Sequence, residues 1–81
     1  MQFNDAVRVR FRELRDKNTL SNYRVSRRAG AGPSELNDFL KGKISYPRLD
    51  TFYYLCKGMG IKLSDFFDDP LFEDENIDDN D

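Results

Sequence analysis

Glycine and proline recur along this chain at intervals that leave room only for short helices. Gly30, Gly42 and Gly60 each follow a run in which apolar residues return every three or four positions, the spacing of one helix face. No run alternates apolar and polar residues for long enough to predict a strand. With 81 residues to build a core, the sequence predicts an all-α, compact bundle of about five short helices.

The first two predicted helices lie before Gly30. Asn4 is the expected N-cap of the first helix, whose apolar residues fall within an arc of about 80° on a helical wheel. These residues are Phe3, Val7, Phe11 and Leu14. Ser21 is expected to cap a second helix that ends at Ala29, where Gly30 can adopt the left-handed conformation that often follows a helix.

Two further helices and a last turn are predicted after this point. Pro33 opens a third helix, predicted over residues 33–41, because the N–H that proline lacks would be unpaired at a first helical position. A fourth helix is expected from about Leu49, with Gly60 closing it, and Ser64 is expected to cap the last turn. The apolar face of the fourth helix consists of Leu49, Phe52, Leu55, Cys56 and Met59.

Charge divides the chain into a basic part and an acidic part. Residues 1–62 carry 13 Lys and Arg against six acids (+7), whereas residues 63–81 carry nine acids and no base (−9). The formal net charge of −2 hides this asymmetry. We expect a domain over residues 1–68 that binds a polyanion, followed by a flexible acidic C-terminal tail over residues 69–81.

The cysteine and histidine counts exclude several kinds of site. The single cysteine, Cys56, cannot form an internal disulfide, and zinc sites of the Cys/His type and catalysis by a histidine base are excluded because the chain has no histidine. We expect Cys56 to be a core residue. No stretch approaches the ~20 apolar residues of a membrane span. We therefore expect a cytoplasmic protein without membrane association, metal, cofactor or enzymatic activity.

The segment from Ser21 to Lys41 has the layout of a helix-turn-helix. Its two short helices flank a small, glycine-containing turn that lets them cross steeply. The third helix has an apolar stripe opposite a polar one, and an α-helix of this kind can enter the major groove of DNA. An amphipathic helix is also common in bundles that bind no DNA, so both interpretations fit this geometry. The apolar stripe holds Leu36, Phe39 and Leu40, and the polar stripe holds Ser34, Asn37, Asp38 and Lys41.

The order and spacing of these residues resemble the Cro/repressor-type helix-turn-helix family, also called XRE. The resemblance covers about residues 7–68 and implies a lambda-repressor-like fold. It also implies a bacterial or phage transcriptional regulator that binds double-stranded DNA in a sequence-specific manner, usually as a homodimer. The matching positions are Leu20-Ser21-Asn22, Val25, Gly30-Ala31, Leu36, Phe39, Gly42-Lys43, Pro47, Leu49-Asp50-Thr51, Leu55 and the run from Gly60 to Phe67.

Carried over by position, the resemblance implies two sets of DNA contacts. Asn22 stands where the family has a Gln whose amide donates to a phosphate and braces the recognition helix, which is the third helix here. The base-facing or neighbouring positions are Ser34, Glu35, Asn37 and Asp38. Lys41 and Lys43 match the end of that helix and the loop that contact the DNA backbone. Basic residues around the helix complete the candidates for phosphates: Arg10, Arg15, Lys17, Arg24, Arg27 and Arg28.

Two acids on the recognition helix depart from the family pattern. Glu35 and Asp38 can only accept hydrogen bonds, so among base edges they can read only cytosine N4 or adenine N6. This acidity keeps an alternative open, a protein-interaction module with the helix-turn-helix fold or an antitoxin-like protein whose acidic tail binds a partner. For a homodimer we expect the interface on the fourth helix and around Phe66, Phe67, Leu71 and Phe72.

Overall fold

A computed structural model describes residues 1–78, apart from the side chain of Pro33. Its five α-helices are α1 (Phe3–Lys17), α2 (Asn22–Ala29), α3 (Pro33–Leu40), α4 (Leu49–Gly58) and α5 (Leu63–Phe67). Two 3-10 turns follow, Pro70–Phe72 and Asp74–Asn76. Residues 1–78 contain no strand and no helix long and apolar enough to cross a membrane. The prediction of an all-α bundle of about five short helices is confirmed.

The ends of α2 agree with the sequence pattern. The hydroxyl of Ser21 accepts a hydrogen bond from the Arg24 backbone N–H at 3.1 Å, as expected of an N-cap. Gly30 follows the helix with φ 70° and ψ 20°, the left-handed conformation that glycine adopts without a steric penalty. A polar cap and a glycine therefore set both ends of this helix locally.

Other helix ends differ from the prediction by one or two residues. The expected caps Asn4 and Ser64 are wrong, because the backbone carbonyls of Gln2 and Lys62 already accept the first helical hydrogen bonds of α1 and α5. The third helix, predicted over residues 33–41, ends at Leu40. Helix α4 ends at Gly58 with Met59 as its C-cap, and Gly60 follows in the left-handed conformation (φ 74°), so its predicted role in closing this helix is confirmed.

The core lies where α1, α2, α3 and α4 meet, and α5 closes it. Most of the predicted inward residues are buried there, but Phe3 is 48% exposed and Leu49 is 86% exposed. Both residues lie in the first turn of their helices, beyond the packed part of the bundle. Phe66 is fully buried and its ring centroid lies 4.9 Å from that of Phe52. The buried apolar cluster consists of Val7, Phe11, Leu14, Val25, Leu36, Phe39, Leu40, Phe52, Leu55, Cys56, Met59 and Phe66.

Cys56 belongs to this core, as the sequence predicts. Its side chain is fully buried, and burial raises the pKa of the Cys56 thiol to about 12 because the thiolate would lose its hydration. The thiol therefore stays neutral near pH 7 and is a poor nucleophile. Within residues 1–78, no group of three His, Cys, Asp or Glu side chains is placed to hold a metal ion.

The sequence predicts that the domain ends at residue 68 and that a tail follows. Residues 69–78 of this predicted tail contact the domain. Asp69 pairs with Arg10 at 3.2 Å, and the Phe72 ring lies 5.9 Å from the Phe3 ring. Asp78 pairs with the N-terminal ammonium group of Met1 at 3.0 Å, and its backbone N–H donates to the Met1 carbonyl at 2.8 Å. The last three residues of the predicted tail, 79–81, lie outside the described residues, and the flexibility of the tail stays a prediction.

Gly58 allows α2 and α4 to approach each other closely. A Cβ atom at this position would lie 2.8 Å from the Val25 carbonyl oxygen and 3.3 Å from the Ala29 nitrogen. Both are backbone atoms of α2, so they cannot move aside as the end of a flexible side chain could. Nothing in the sequence of α4 itself indicates this contact, so the role of Gly58 could not be predicted from its own helix.

We expect Gly58→Ala to lower the free energy of unfolding by about 1–3 kcal/mol, the usual cost of overpacking a core. In an open helix position the same change would stabilise the protein by about 0.5–1 kcal/mol, so the sign of the effect is diagnostic. Urea denaturation followed by circular dichroism measures it. Lys57→Ala, at the exposed neighbouring position, is the control and should change stability by less than about 0.5 kcal/mol. A Gly58→Ala variant more stable than the wild type would contradict the close approach.

Candidate nucleic-acid interface

Helix α3 has one side in the core and one side at the surface. Its three apolar residues, Leu36, Phe39 and Leu40, are buried. On the other side Ser34 is exposed and Asn37 and Asp38 are half-buried, and Lys41 follows the helix in an exposed position. The two stripes predicted from the sequence are therefore present, and the polar one is accessible.

Two arginines of α1 hold the C-terminal end of α3. Arg8 Nε donates to the Phe39 carbonyl at 2.7 Å, and Arg12 donates to the Leu40 carbonyl. The Arg8 guanidinium also lies over the Phe39 ring, 4.8 Å from its centroid, and donates to the Ile44 carbonyl at 2.9 Å. The last carbonyls of a helix have no partner within it and carry partial negative charge, so guanidinium groups there stabilise it. The orientation of α3 is thus fixed from α1.

Sequence reasoning missed this role of Arg8 and Arg12. The two residues are four apart and therefore lie one above the other on α1, beside its apolar face. That spacing is a signal that could have suggested a shared partner. It does not say which element the partner belongs to, because α3 is distant in sequence.

A chain of side-chain hydrogen bonds links α1, α2 and α3 at the surface. Arg15 Nη1 donates to Asn22 Oδ1 at 2.6 Å, and Asn22 Nδ2 donates to Asn37 Oδ1 at 2.9 Å. Arginine can only donate, so its bond requires the Asn22 oxygen on that side and turns the Asn22 NH2 group toward Asn37. The Asn37 oxygen must then face Asn22. The NH2 group of Asn37 is the part of its amide left for another partner.

The two acids of α3, Glu35 and Asp38, are placed differently. A Glu35 oxygen, Oε1, accepts a hydrogen bond at 3.0 Å from the backbone N–H of Arg48, the N-cap residue of α4. This bond turns the Glu35 carboxylate toward the start of α4. The Asp38 side chain takes part in none of the ion pairs within residues 1–78. Its backbone carbonyl accepts from the Lys43 N–H at 2.8 Å, which closes the turn after α3.

The basic residues predicted for the DNA backbone fall into two groups. Arg24, Lys41 and Lys43 are exposed and form none of the ion pairs within the described part of the chain. Arg15 is half-buried and bound to Asn22, and it also pairs with Asp16 at 2.9 Å.

Arg10, another sequence candidate for a phosphate contact, is used inside the fold. It donates to the carbonyls of Asp65 and Phe66, both at 2.8 Å, and pairs with Asp69. The structure therefore assigns Arg10 to the attachment of α5, where it satisfies carbonyls at the end of a short helix. It does not belong to the candidate interface.

We expect Arg8→Met to lower the free energy of unfolding by about 1.5–3 kcal/mol. Methionine keeps much of the apolar stem, but the carbonyls of Phe39 and Ile44 lose a charged donor. Thermal or urea unfolding measures the change. The control is Arg27→Met on the exposed side of α2, which should cost less than about 0.5 kcal/mol. Equal effects of the two substitutions would mean that Arg8 does not anchor α3.

Residues 10–70 match the family model of the Cro/C1-type HTH DNA-binding domain. This range is three quarters of the chain and contains α2, α3, α4 and α5 together with most of α1. No curated protein and no solved structure matches the sequence. The resemblance inferred from the spacing of the helix-turn-helix residues is confirmed by the family match.

Proposed function

Because the chain belongs to the Cro/C1-type helix-turn-helix DNA-binding family, we propose that it is a sequence-specific transcriptional regulator that reads the major groove with α3. The observation that carries this proposal is the accessible polar stripe of α3, on a helix whose other side is buried and whose end is held by Arg8 and Arg12. A major groove about 12 Å wide admits one helix in this way. The role requires no catalytic residue and no cofactor, and we assign the protein to the cytoplasm.

The proposed phosphate contacts surround α3. Arg24, Lys41 and Lys43 are the charged ligands, because they are exposed cations near the ends of the helix-turn-helix. Asn22 is the neutral ligand. One N–H of its amide is bonded to Asn37, and the second N–H remains to donate to a phosphate. Arg15, which is bonded to Asn22, acts on the backbone contact by orienting that amide.

The proposed base contacts come from adjacent residues of opposite hydrogen-bonding character. Asn37 offers an NH2 donor, which fits purine N7, guanine O6 or thymine O4. Asp38 offers only acceptors, which fit cytosine N4 or adenine N6. Ser34 can serve either kind of base group, and Glu35 reaches a base only with the part of its carboxylate that Arg48 does not use. Because a donor and an acceptor lie on adjacent residues, the pair fits some base steps and not others. This favours sequence-specific binding over non-specific binding.

If each subunit neutralises about five phosphates, we expect the affinity for DNA to fall several hundredfold per bound subunit between about 50 and 200 mM salt. Electrophoretic mobility shifts or fluorescence anisotropy with a selected duplex measure this dependence. The double variant Lys41→Ala/Lys43→Ala should weaken binding to every sequence alike and lower the salt slope by about two per bound subunit. Its matched control is Lys57→Ala/Lys62→Ala, which removes the same charge outside the proposed contacts.

Two outcomes would contradict the proposed function. Binding that does not depend on salt, or no binding even at low salt, would exclude phosphate contacts of this kind. The alternative would then be the protein-interaction module or antitoxin-like protein that the acidic recognition helix and tail keep open. Equal losses in the two double variants would instead contradict the assignment of Lys41 and Lys43.

We propose that the regulator binds DNA as a homodimer, because one short helix reads too few base pairs to specify a site in a genome. The apolar surface that supports this proposal surrounds the first turn of α4 and α5. A groove of about 400 Å³ opens there, lined mainly by apolar side chains. The sequence predicts Phe66 in the dimer interface, and this prediction is wrong because the Phe66 side chain is fully buried. The exposed candidates are Tyr46, Leu49, Tyr53, Leu63 and Phe67.

We expect two chains on a duplex with half-sites about 34 Å apart, and loss of the second chain when Leu49 becomes serine. Leu49 is 86% exposed, so this substitution removes an apolar contact between chains without opening the core. Sedimentation equilibrium of the complex gives the stoichiometry. Tyr23→Ser, at an exposed aromatic on α2, is the control and should retain two chains. Binding of a single wild-type chain to its selected duplex would contradict the dimer.

A further inference from the structure

A basic groove lies between α2 and the C-terminal end of α4. Its volume is about 610 Å³, and we define it by four of its lining residues, Arg27, Arg28, Tyr54 and Lys57. All four are exposed, and the three cations take part in none of the ion pairs within residues 1–78. The groove therefore concentrates positive charge that the described part of the fold does not neutralise.

This groove is separate from the recognition surface of α3. Helix α4 begins beside α3, where the Arg48 N–H is bonded to Glu35. Lys57 lies nine residues further along the chain, which is about 13 Å along a helix. The groove is therefore at the opposite end of α4 from α3. Arg27 and Arg28, which the sequence offered as candidates for phosphates, line this groove and are not among the proposed phosphate ligands Arg24, Lys41 and Lys43.

An acidic peptide fits the chemistry of this groove, and the chain contains one. Residues 73–81 hold six acids and no base. Glu73, Asp74 and Glu75 are exposed and are absent from the ion pairs within the described residues. Three acids on one segment and three cations on one groove, none of them ion-paired within residues 1–78, are complementary in sign and number.

The described part of the acidic segment is attached at the start of α1 and does not line the groove. Asp78 is tied to Met1, beside the start of α1, whereas α2 begins next to Arg15, near the end of α1. Helix α1 has 15 residues and so spans about 22 Å. Glu73, Asp74 and Glu75 lie between Phe72 and Asp78, which both contact the start of α1, and none of the three lines the groove. These described acids therefore leave the groove of their own chain free for an acidic segment of another molecule.

We propose that the basic groove binds the acidic segment 73–81 of a second copy of this chain. Each exposed ion pair contributes little by itself, but several pairs between two small, oppositely charged surfaces give a weak, salt-sensitive association. The contact joins different surfaces of the two chains, so it differs from the apolar homodimer interface. It does not depend on DNA, and the proposed function can fail without affecting it.

Charge reversal with the full chain tests the contact in the absence of DNA. Sedimentation velocity should show an association of the wild type at about 50 mM salt that weakens about tenfold or more at about 500 mM. The groove variant, Arg27→Glu/Arg28→Glu, and the segment variant, Glu73→Lys/Asp74→Lys/Glu75→Lys, should each lose this salt-sensitive association. An equimolar mixture should regain it, because each variant then meets the opposite charge. The matched control is Lys41→Glu/Lys43→Glu, which has the same charge change as the groove variant and should still associate.

The outcomes separate this contact from other uses of the groove. A mixture that fails to associate, or a control that loses association as fully as the groove variant, would overturn the proposal. Retained association of the groove variant, with lower DNA affinity and a lower salt slope, would assign the groove to DNA and would also overturn it. Normal DNA binding by the groove variant, together with restored association in the mixture, would support it.

Discussion

The hydrogen bonds from Arg8 and Arg12 to the last carbonyls of α3 fix the helix on which the proposed function depends. They bring charged donors to carbonyls at the end of the helix, of which that of Phe39 also accepts from the Gly42 N–H, and they place positive charge at the negative end of the helix dipole. These bonds occupy the C-terminal end of α3, and the buried residues Phe39 and Leu40 occupy one of its sides. The opposite side therefore remains free. The fold thus produces an accessible polar stripe without exposing the apolar residues that hold it.

The side chains on that stripe are also oriented by the fold. The bonds from Arg15 through Asn22 to Asn37 leave only one arrangement of the two amides in which every contact pairs a donor with an acceptor. Asn37 is therefore ordered before it meets a ligand, which reduces the entropy lost on binding. In the proposed recognition Arg15 acts through these two amides, and Glu35 is held in a similar way by the backbone of Arg48.

Local patterns predicted much of the fold but less of the site. The apolar spacing and the Ser21 cap are properties of adjacent residues, so the helices could be placed from the sequence alone. Gly58 is important because it lies against the backbone of α2, and Arg8 because it bonds to the end of α3. Neither role can be predicted from the helix to which the residue belongs. The stripe containing Asn37 was predicted from helical geometry, but the direction of its amide required the structure.

The central claim is that α3 reads bases through a fixed Asn37 donor beside an Asp38 acceptor. Selection of bound duplexes from a random pool, done with the wild type and Asn37→Asp, tests it most directly. Aspartate still accepts from Asn22 but presents an oxygen to the groove, so the preferred base at one position should change from an acceptor edge to a donor edge. We expect about 1–3 kcal/mol of altered discrimination at that position alone. An unchanged selected sequence, or a wild type that selects none, would contradict the claim.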